Sequence, residues 1–186
     1  MPTMRSANGA SVRHALWLGC CAVLLAGCAT VAPVNYAPSS VLSASGTVAV
    51  SEFRYLPAEA RRVDPNQIRN TAMGSIKIDR DVKDFVRNAV FAELRFVGIK
   101  LDDPGRTLSG DIVEFLIDDL GYSIDWTLTV RYRVTGAAPA ALLFESEKVT
   151  QRKTAKFVNA FGALNETIKL NAEELIKDPA FIKAIQ

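Results

Sequence analysis

The chain has 186 residues, 49% hydrophobic and 23% charged, the balance of a globular protein and not of a disordered one. Its formal charge is +2, and the basic residues Arg5 and Arg13 lie in an N-terminal segment whose removal leaves as many acidic as basic side chains, so charge offers no argument for nucleic acid as a partner. The only histidine, His14, and the cysteines Cys20, Cys21 and Cys28 all fall at or before position 28, which excludes from the remainder a triad histidine, imidazole metal ligands, a zinc site of the usual kind and any disulfide.

Taken from the start, Arg5, Arg13 and His14 form a basic lead-in to the apolar run Ala15–Ala26, twelve residues long. That is the length of a signal-peptide core and well short of the ~20 residues needed to span a bilayer. The run ends in Leu25-Ala26-Gly27-Cys28, which resembles the bacterial lipobox: a branched apolar residue, two small residues that fit a peptidase cleft, and a cysteine whose sulfur takes diacylglycerol. Cleavage is expected between Gly27 and Cys28, with lipid on Cys28 and acylation of the new N-terminus; several buried chains at ~0.8 kcal/mol per CH₂ make such an anchor stable. Ala29 in place of an aspartate favours the outer membrane, with the domain facing the periplasm. Residues 1–27 are therefore read as signal peptide, 28–45 as lipidated N-terminus and a flexible Ala/Pro/Ser-rich tether without charge, and 46–186 as a single domain.

Thr47–Tyr55 reads as a first strand, Leu56–Gly74 as a long polar loop with Arg61, Arg62 and Arg69, and Ser75–Ile78 as a short strand. Asp79 or Asp81 can cap a helix running to about Val97, because Val82, Phe85, Val86, Ala89, Val90, Leu94 and Val97 recur at helical spacing and Gly98 follows where a left-handed residue belongs. Ile99–Leu101 reads as a short strand and Asp103–Arg106 as a turn. Leu108–Asp118 is a strand with Val113, Phe115 and Ile117 on one face and Ile112 and Leu116 on the other.

Ser123–Val134 alternates without a fault: Ile124, Trp126, Leu128, Val130, Tyr132 and Val134 face a core, and Ser123, Asp125, Thr127, Thr129, Arg131 and Arg133 face water or a partner. Leu142–Gln151 completes an antiparallel meander. A second helix is expected from about Ala155, with Phe157, Phe161, Leu164, Ile168, Ala172 and Leu175 as its stripe, closed by Asp178-Pro179 and a last turn carrying Phe181, Ile182 and Ile185. The expected fold is α+β, a two-layer sandwich of order β-α-β-β-β-α with a mainly antiparallel sheet packed by two amphipathic helices.

Several stretches together, the lipobox at Cys28, Glu93-Leu94-Arg95-Phe96-Val97-Gly98, Leu108-Ser109-Gly110-Asp111-Ile112 and Glu174-Leu175-Ile176-Lys177-Asp178-Pro179-Ala180-Phe181, resemble the YajG-type lipoproteins, whose wider relatives include auxiliary lipoproteins of envelope ABC transporters. The resemblance covers most of the mature chain. It implies a small α/β fold and an accessory role in the envelope, and it carries over no catalytic residues.

Chemistry is sparse. No phosphate loop, Walker sequence or HExxH occurs. Asp102, Asp103, Asp111, Asp118, Asp119 and Asp125 lie near strand ends, where two carboxylates would suffice for acid/base work, but aspartates in turns ordinarily cap and solubilise loops. The arginines of the 56–74 loop suit lipid phosphates or an acidic partner, or simply solvent. Arg131 and Arg133 with Lys148, Arg152 and Lys153 would form a basic patch unless Glu145 and Glu147 pair with them, the preferred reading. The chain is expected to be no enzyme and to need no cofactor or metal. It is expected to be a membrane-anchored binding or scaffold component with an envelope protein as partner, meeting it through Thr127, Thr129, Arg131 and Arg133. The alternatives are a lipid- or glycan-binding module with an apolar pocket between helices and sheet, and a carboxylate hydrolase.

Overall fold

The computed structural model describes residues 31–71, 76–137, 141–156 and 159–186. In chain order the elements are β1 (Val31–Ala32), β2 (Ala49–Tyr55), α1 (Leu56–Glu59), β3 (Gln67–Asn70), β4 (Ile76–Ile78), α2 (Val82–Phe96), β5 (Arg106–Asp118), β6 (Ser123–Gly136), β7 (Leu142–Ala155), α3 (Ala160–Ile176) and α4 (Pro179–Ala184). The seven strands form one mixed sheet of order β1-β4-β3-β5-β6-β7, with β2 also on β5. The expected meander is present: β5, β6 and β7 pair antiparallel along nearly their whole lengths. The free edge of β5 is shared. β2 pairs in parallel with its first half and β3 in parallel with its last residues. The sheet is thus mixed where a mainly antiparallel one was expected, and it has more strands than the sequence pattern suggests.

The core follows the alternation of β6. Trp126, Leu128, Val130, Tyr132 and Val134 are buried, and the polar ends of the two rings are satisfied, Trp126 Nε1 donating to Thr154 Oγ1 at 3.0 Å and Tyr132 Oη to Asn171 Oδ1 at 2.9 Å. In β5 strict alternation fails. A bulge between Ile112 and Glu114 shifts the frame by one residue, so Leu108 and Ile112 before it and Phe115 and Ile117 after it are all buried. The expected division of Ile112 from Phe115 and Ile117 onto opposite faces is corrected by that one extra residue. β2 has the matching irregularity between Val50 and Phe53, which turns Val48 and Val50, then Phe53 and Tyr55, into the same core.

α2 packs on β2 and α3, and α3 packs on β6 and β7. The stripe of α2 is buried as expected. Asp81 holds the N-cap position without a side-chain cap bond, and Asp79 instead binds Arg80 and the Val34 amide. Gly98 takes φ +105°, which closes the helix with Ile99 N donating to Leu94 O.

Four boundaries differ from expectation. Residues 56–74 contain α1 and β3 instead of a plain loop, because Pro57 starts a short helix and Ile68 is fully buried. Residues 99–101 make a single parallel bridge, Thr47 with Lys100, and no strand. β7 runs on to Ala155, held by pairing with Ser123, so the second long helix starts at Ala160 with Asn159 as its cap; Phe161 in its first turn is exposed, and Phe157 lies outside the described residues. Residues 31–45, expected to be a flexible tether, lie packed on the domain: β1 pairs with β4, and Val34 and Ser40 are buried.

Candidate functional site

The pleat of β6 places Thr127, Arg131 and Arg133 on the face opposite the Trp126–Val134 stripe, and the antiparallel register supplies their neighbours. Arg131 lies opposite Asp111 of β5 and Glu147 of β7; Arg133 lies opposite Ser109 and Glu145. Charge follows geometry. Arg131 Nη2 donates to Glu147 Oε2 at 3.0 Å. Arg133 bridges two strands, donating from Nε to Glu145 Oε1 and from Nη1 to Asp111 Oδ2, both at 2.8 Å. Asp111 is itself buried, and Arg54 of β2 approaches its other oxygen at 3.7 Å while also pairing with Glu59. Hydrogen bonds to Asp111 and then Glu145 hold the Arg133 guanidinium above its ordinary pKa. Glu145 and Glu147 therefore neutralise the two arginines, the preferred sequence reading.

The continuation of this face toward the β5–β6 turn carries Arg69–Glu114 at 2.9 Å and Lys153–Asp125 at 3.3 Å. Side chains of Arg54, Arg69, Asp125 and Lys153 are roughly half exposed or more, and Val149 on β7 adds an exposed apolar side chain. Residues 56–71 lie beside β5, through β3, and among the described residues they leave the outward side chains of β6 and β7 partly open to solvent on this side.

Three of the expected residues are displaced. Thr129 is buried at 8% exposure, because it sits beside the β5 bulge opposite Glu114 and Val149. Lys148 and Arg152 leave the basic patch altogether. They alternate with Glu147 and Val149 along β7 and so point to the helix side, where Lys148 meets Asp178 at 2.6 Å and Arg152 donates to Ala163 O. Gly27 and Cys28 lie outside the described residues.

Of the strand-end aspartates, Asp118 and Asp125 lie opposite each other in the β5–β6 register, and the others are held by separate partners. Asp103 accepts from Thr47 Oγ1 and the Gly105 amide, and these bonds hold its carboxyl below the usual range, the Thr47 bond first. Asp118 accepts from Thr71 Oγ1 at 2.7 Å, Asp119 lies 3.2 Å from Lys156 Nζ, and Asp102 is exposed in the loop before β5. Among the described residues no group of three or more histidine, cysteine, aspartate or glutamate side chains is placed to hold a metal ion, and no helix is long and apolar enough to cross a membrane. Fully buried Phe85, Leu94, Phe115, Tyr132 and Phe181 occupy the helix–sheet interface. A depression of about 360 Å³ opens at the ends of β6 and β7, lined by Asp125, Trp126, Thr127, Gln151, Arg152 and Lys153.

Two polar residues of structural weight are missing from the sequence reading. Glu93 is fully buried and accepts from Tyr36 Oη at 2.6 Å, the Ser39 amide at 3.1 Å and the Ser40 amide at 3.2 Å. Burial and the bond to this carboxylate push the Tyr36 phenol well above its ordinary pKa. Asn171, also fully buried, accepts from Tyr132 and donates to Leu128 O, Lys148 O and Thr150 Oγ1. Both sit within the apolar stripe of a helix, at i+4 from Ala89 and Thr167, and that polar interruption is the signal that marks them.

No family model matches this chain, and no curated protein matches it. Among solved structures, a Xanthomonas campestris protein of the DUF330 family shares 14% identity over 83% of this chain and 96% of its own, with a TM-score of 0.63. A PelC dodecamer from Paraburkholderia phytofirmans shares 13% identity over 75% of this chain and 93% of its own at a TM-score of 0.42. A putative lipoprotein from Caulobacter crescentus shares 12% over 55% and 82% at 0.41. The first of these shows a common fold.

Proposed function

We propose that this chain is a lipid-anchored lipoprotein of the bacterial envelope, carried by lipid on Cys28 at the outer membrane and facing the periplasm. Its domain is a non-catalytic binding or scaffold component, auxiliary to an envelope assembly or transport system in the manner of the YajG-type and ABC-transporter auxiliary lipoproteins it resembles. The anchor rests on Leu25-Ala26-Gly27-Cys28 directly after a twelve-residue apolar run. The binding role rests on one observation: with α2 and α3 taken as one layer, the opposite face of β6 and β7 is left to solvent and carries charge in cross-strand rows, Asp111–Arg133–Glu145 and Arg131–Glu147. Ordered, mutually neutralised charge on a rigid sheet suits recognition of a protein of complementary pattern, since polar complementarity sets specificity more than affinity. Thr127, Arg131 and Arg133 remain the contact residues of this reading, and Thr129, on the same strand, is buried.

The test has two arms. Palmitate labelling of Cys28→Ser should be lost, and the protein should leave the membrane fraction. Crosslinking in intact membranes should capture an envelope protein with the natural chain and lose it with Arg131→Glu/Thr127→Lys. A crosslinking profile unchanged by that folded double variant overturns the assignment of this face.

A further inference from the structure

Resting on the lipid-anchor reading, we infer that the domain is seated on the bilayer in one orientation, with the β1–β4 edge and the N-terminal end of α2 toward the lipid and β7 away from it. Cys28 precedes Val31 by three residues, which span at most about 11 Å even when fully extended. From Val31 onward the chain is fastened. Val31 and Ala32 pair in parallel with Lys77 and Ile78, Asp79 N donates to Ala32 O at 3.1 Å, and Val34 is buried at 2% exposure.

The segment then runs along α2 from its first turn to its last. Asn165 Nδ2 donates to Asn35 O at 2.8 Å, the Tyr36 ring meets Phe85 edge-on at 6.4 Å, Glu93 takes the Tyr36, Ser39 and Ser40 donors, and Ala44 N donates to Val97 O at 2.9 Å. The helix rises 1.5 Å per residue, so these fastenings are spread over roughly 20 Å and leave no slack that could lengthen the tether. A strap of this kind fixes direction as well as distance: the lipid leaves the fold at β1, and β7 lies five strand positions from β1 across the sheet, about 24 Å at ~4.8 Å per strand.

The membrane-proximal edge carries nearly balanced charge. Lys77 pairs with Asp64, Arg80 with Asp79 and Lys83 with Asp84. Asp81, the N-cap of α2, stands outside these pairs, so the edge offers a zwitterionic surface little net charge, and seating depends on the covalent tether, not on anionic lipid. The open face of β6 and β7 is then held away from the bilayer, where a periplasmic partner can reach it.

Full-length lipidated protein in phosphatidylcholine vesicles bearing a headgroup-attached quencher reads this directly. Because every natural cysteine lies at or before Cys28, a thiol-reactive fluorophore on Lys83→Cys or Val149→Cys labels one site. The Lys83 label is expected to be quenched several-fold more than the Val149 label. Inserting about twelve Gly/Ser residues between Thr30 and Val31, with a mean span of roughly 20 Å, should make the two equal. Equal quenching in the natural-length protein, or selectivity that survives the insertion, overturns the seated orientation while leaving the anchor reading intact. Purified protein that lacks lipid mass on Cys28 and fails to bind vesicles overturns the anchor reading and this inference with it.

Discussion

The phenol of Tyr36 donates to Glu93 Oε1 at 2.6 Å and so ties the N-terminal segment to the C-terminal part of α2. A carboxylate with no exposed surface is tolerable only with its lone pairs satisfied, and here one hydroxyl and two backbone amides do so. Glu93→Ala removes all three hydrogen bonds at once. We expect the 34–42 segment to detach, amide exchange at Ser39 and Ser40 to accelerate toward that of free peptide, and stability to fall by roughly 2–4 kcal/mol. Hydrogen exchange with mass analysis checks this; natural-level protection at Ser39 and Ser40 in the variant would show that the strap is held by other contacts.

Gly110 is required by an aromatic ring, not by its backbone angles. A Cβ there would lie 2.7 Å from Phe53 Cε2, and Phe53 is buried and packs edge-on against Tyr132 at 6.0 Å. Gly110→Ala should therefore overpack the junction of β2 and β5 and cost about 1–3 kcal/mol in urea unfolding. The double variant Gly110→Ala/Phe53→Leu should recover part of that loss by vacating the ring's space. A double variant no more stable than the sum of its single losses predicts would refute the steric account.

Arg131 and Arg133 look equivalent in the alternating pattern but should differ in energy. Arg131 joins one partly exposed glutamate, a type of pair contributing roughly 0–1 kcal/mol. Arg133 covers Asp111, whose side chain is 7% exposed, so Arg133→Ala leaves a buried carboxylate without its principal partner. We expect Arg131→Ala to lower stability by under about 1 kcal/mol and Arg133→Ala by about 1–3 kcal/mol. Arg133→Ala/Asp111→Asn should be milder than Arg133→Ala alone. Equal losses for the two single variants would contradict this division.

These contrasts show where the sequence is legible and where it is not. Elements written in a single period could be read directly: the β6 stripe from Trp126 to Val134 and the α2 stripe ending at Gly98 lie where the pattern puts them. The β5 bulge at Val113 was hidden because one extra residue inverts the period without changing composition. β1 and β3 are two and four residues long, too short to show a period, and they exist because neighbouring chain offers them a pairing edge, whereas β4 falls within the short strand expected at Ser75–Ile78. The pairing of Arg131 and Arg133 with Glu147 and Glu145 was legible from alternation on adjoining strands. The roles of Glu93 and Asn171 were not, because their partners are backbone groups and side chains distant in sequence.

Lys148 and Asp178 meet at 2.6 Å with side chains 15% and 19% exposed, joining β7 to the start of α4, and Asp178 also caps that helix by accepting from Ala180 N at 2.9 Å. The bond to Lys148, followed by the backbone bond from Ala180, holds the Asp178 carboxyl below its ordinary range against the opposing effect of burial. The sign follows. A carboxyl depressed in the folded state contributes stability above the unfolded value of about 3.9, and that contribution is lost as pH falls through the lower folded value. Asp178→Asn keeps a side chain able to cap but removes the charge beside Lys148, and it should cost about 1–2 kcal/mol near neutral pH. The gap between natural and variant proteins should stay constant from about pH 7 to pH 5 and narrow below about pH 4. Asp79 and Asp103, also depressed, titrate in both proteins and so cancel in the difference. Urea midpoints measured across that range decide the matter: a gap that persists undiminished near pH 3 would mean that Asp178 acts through its cap and packing alone, with no contribution from the ion pair.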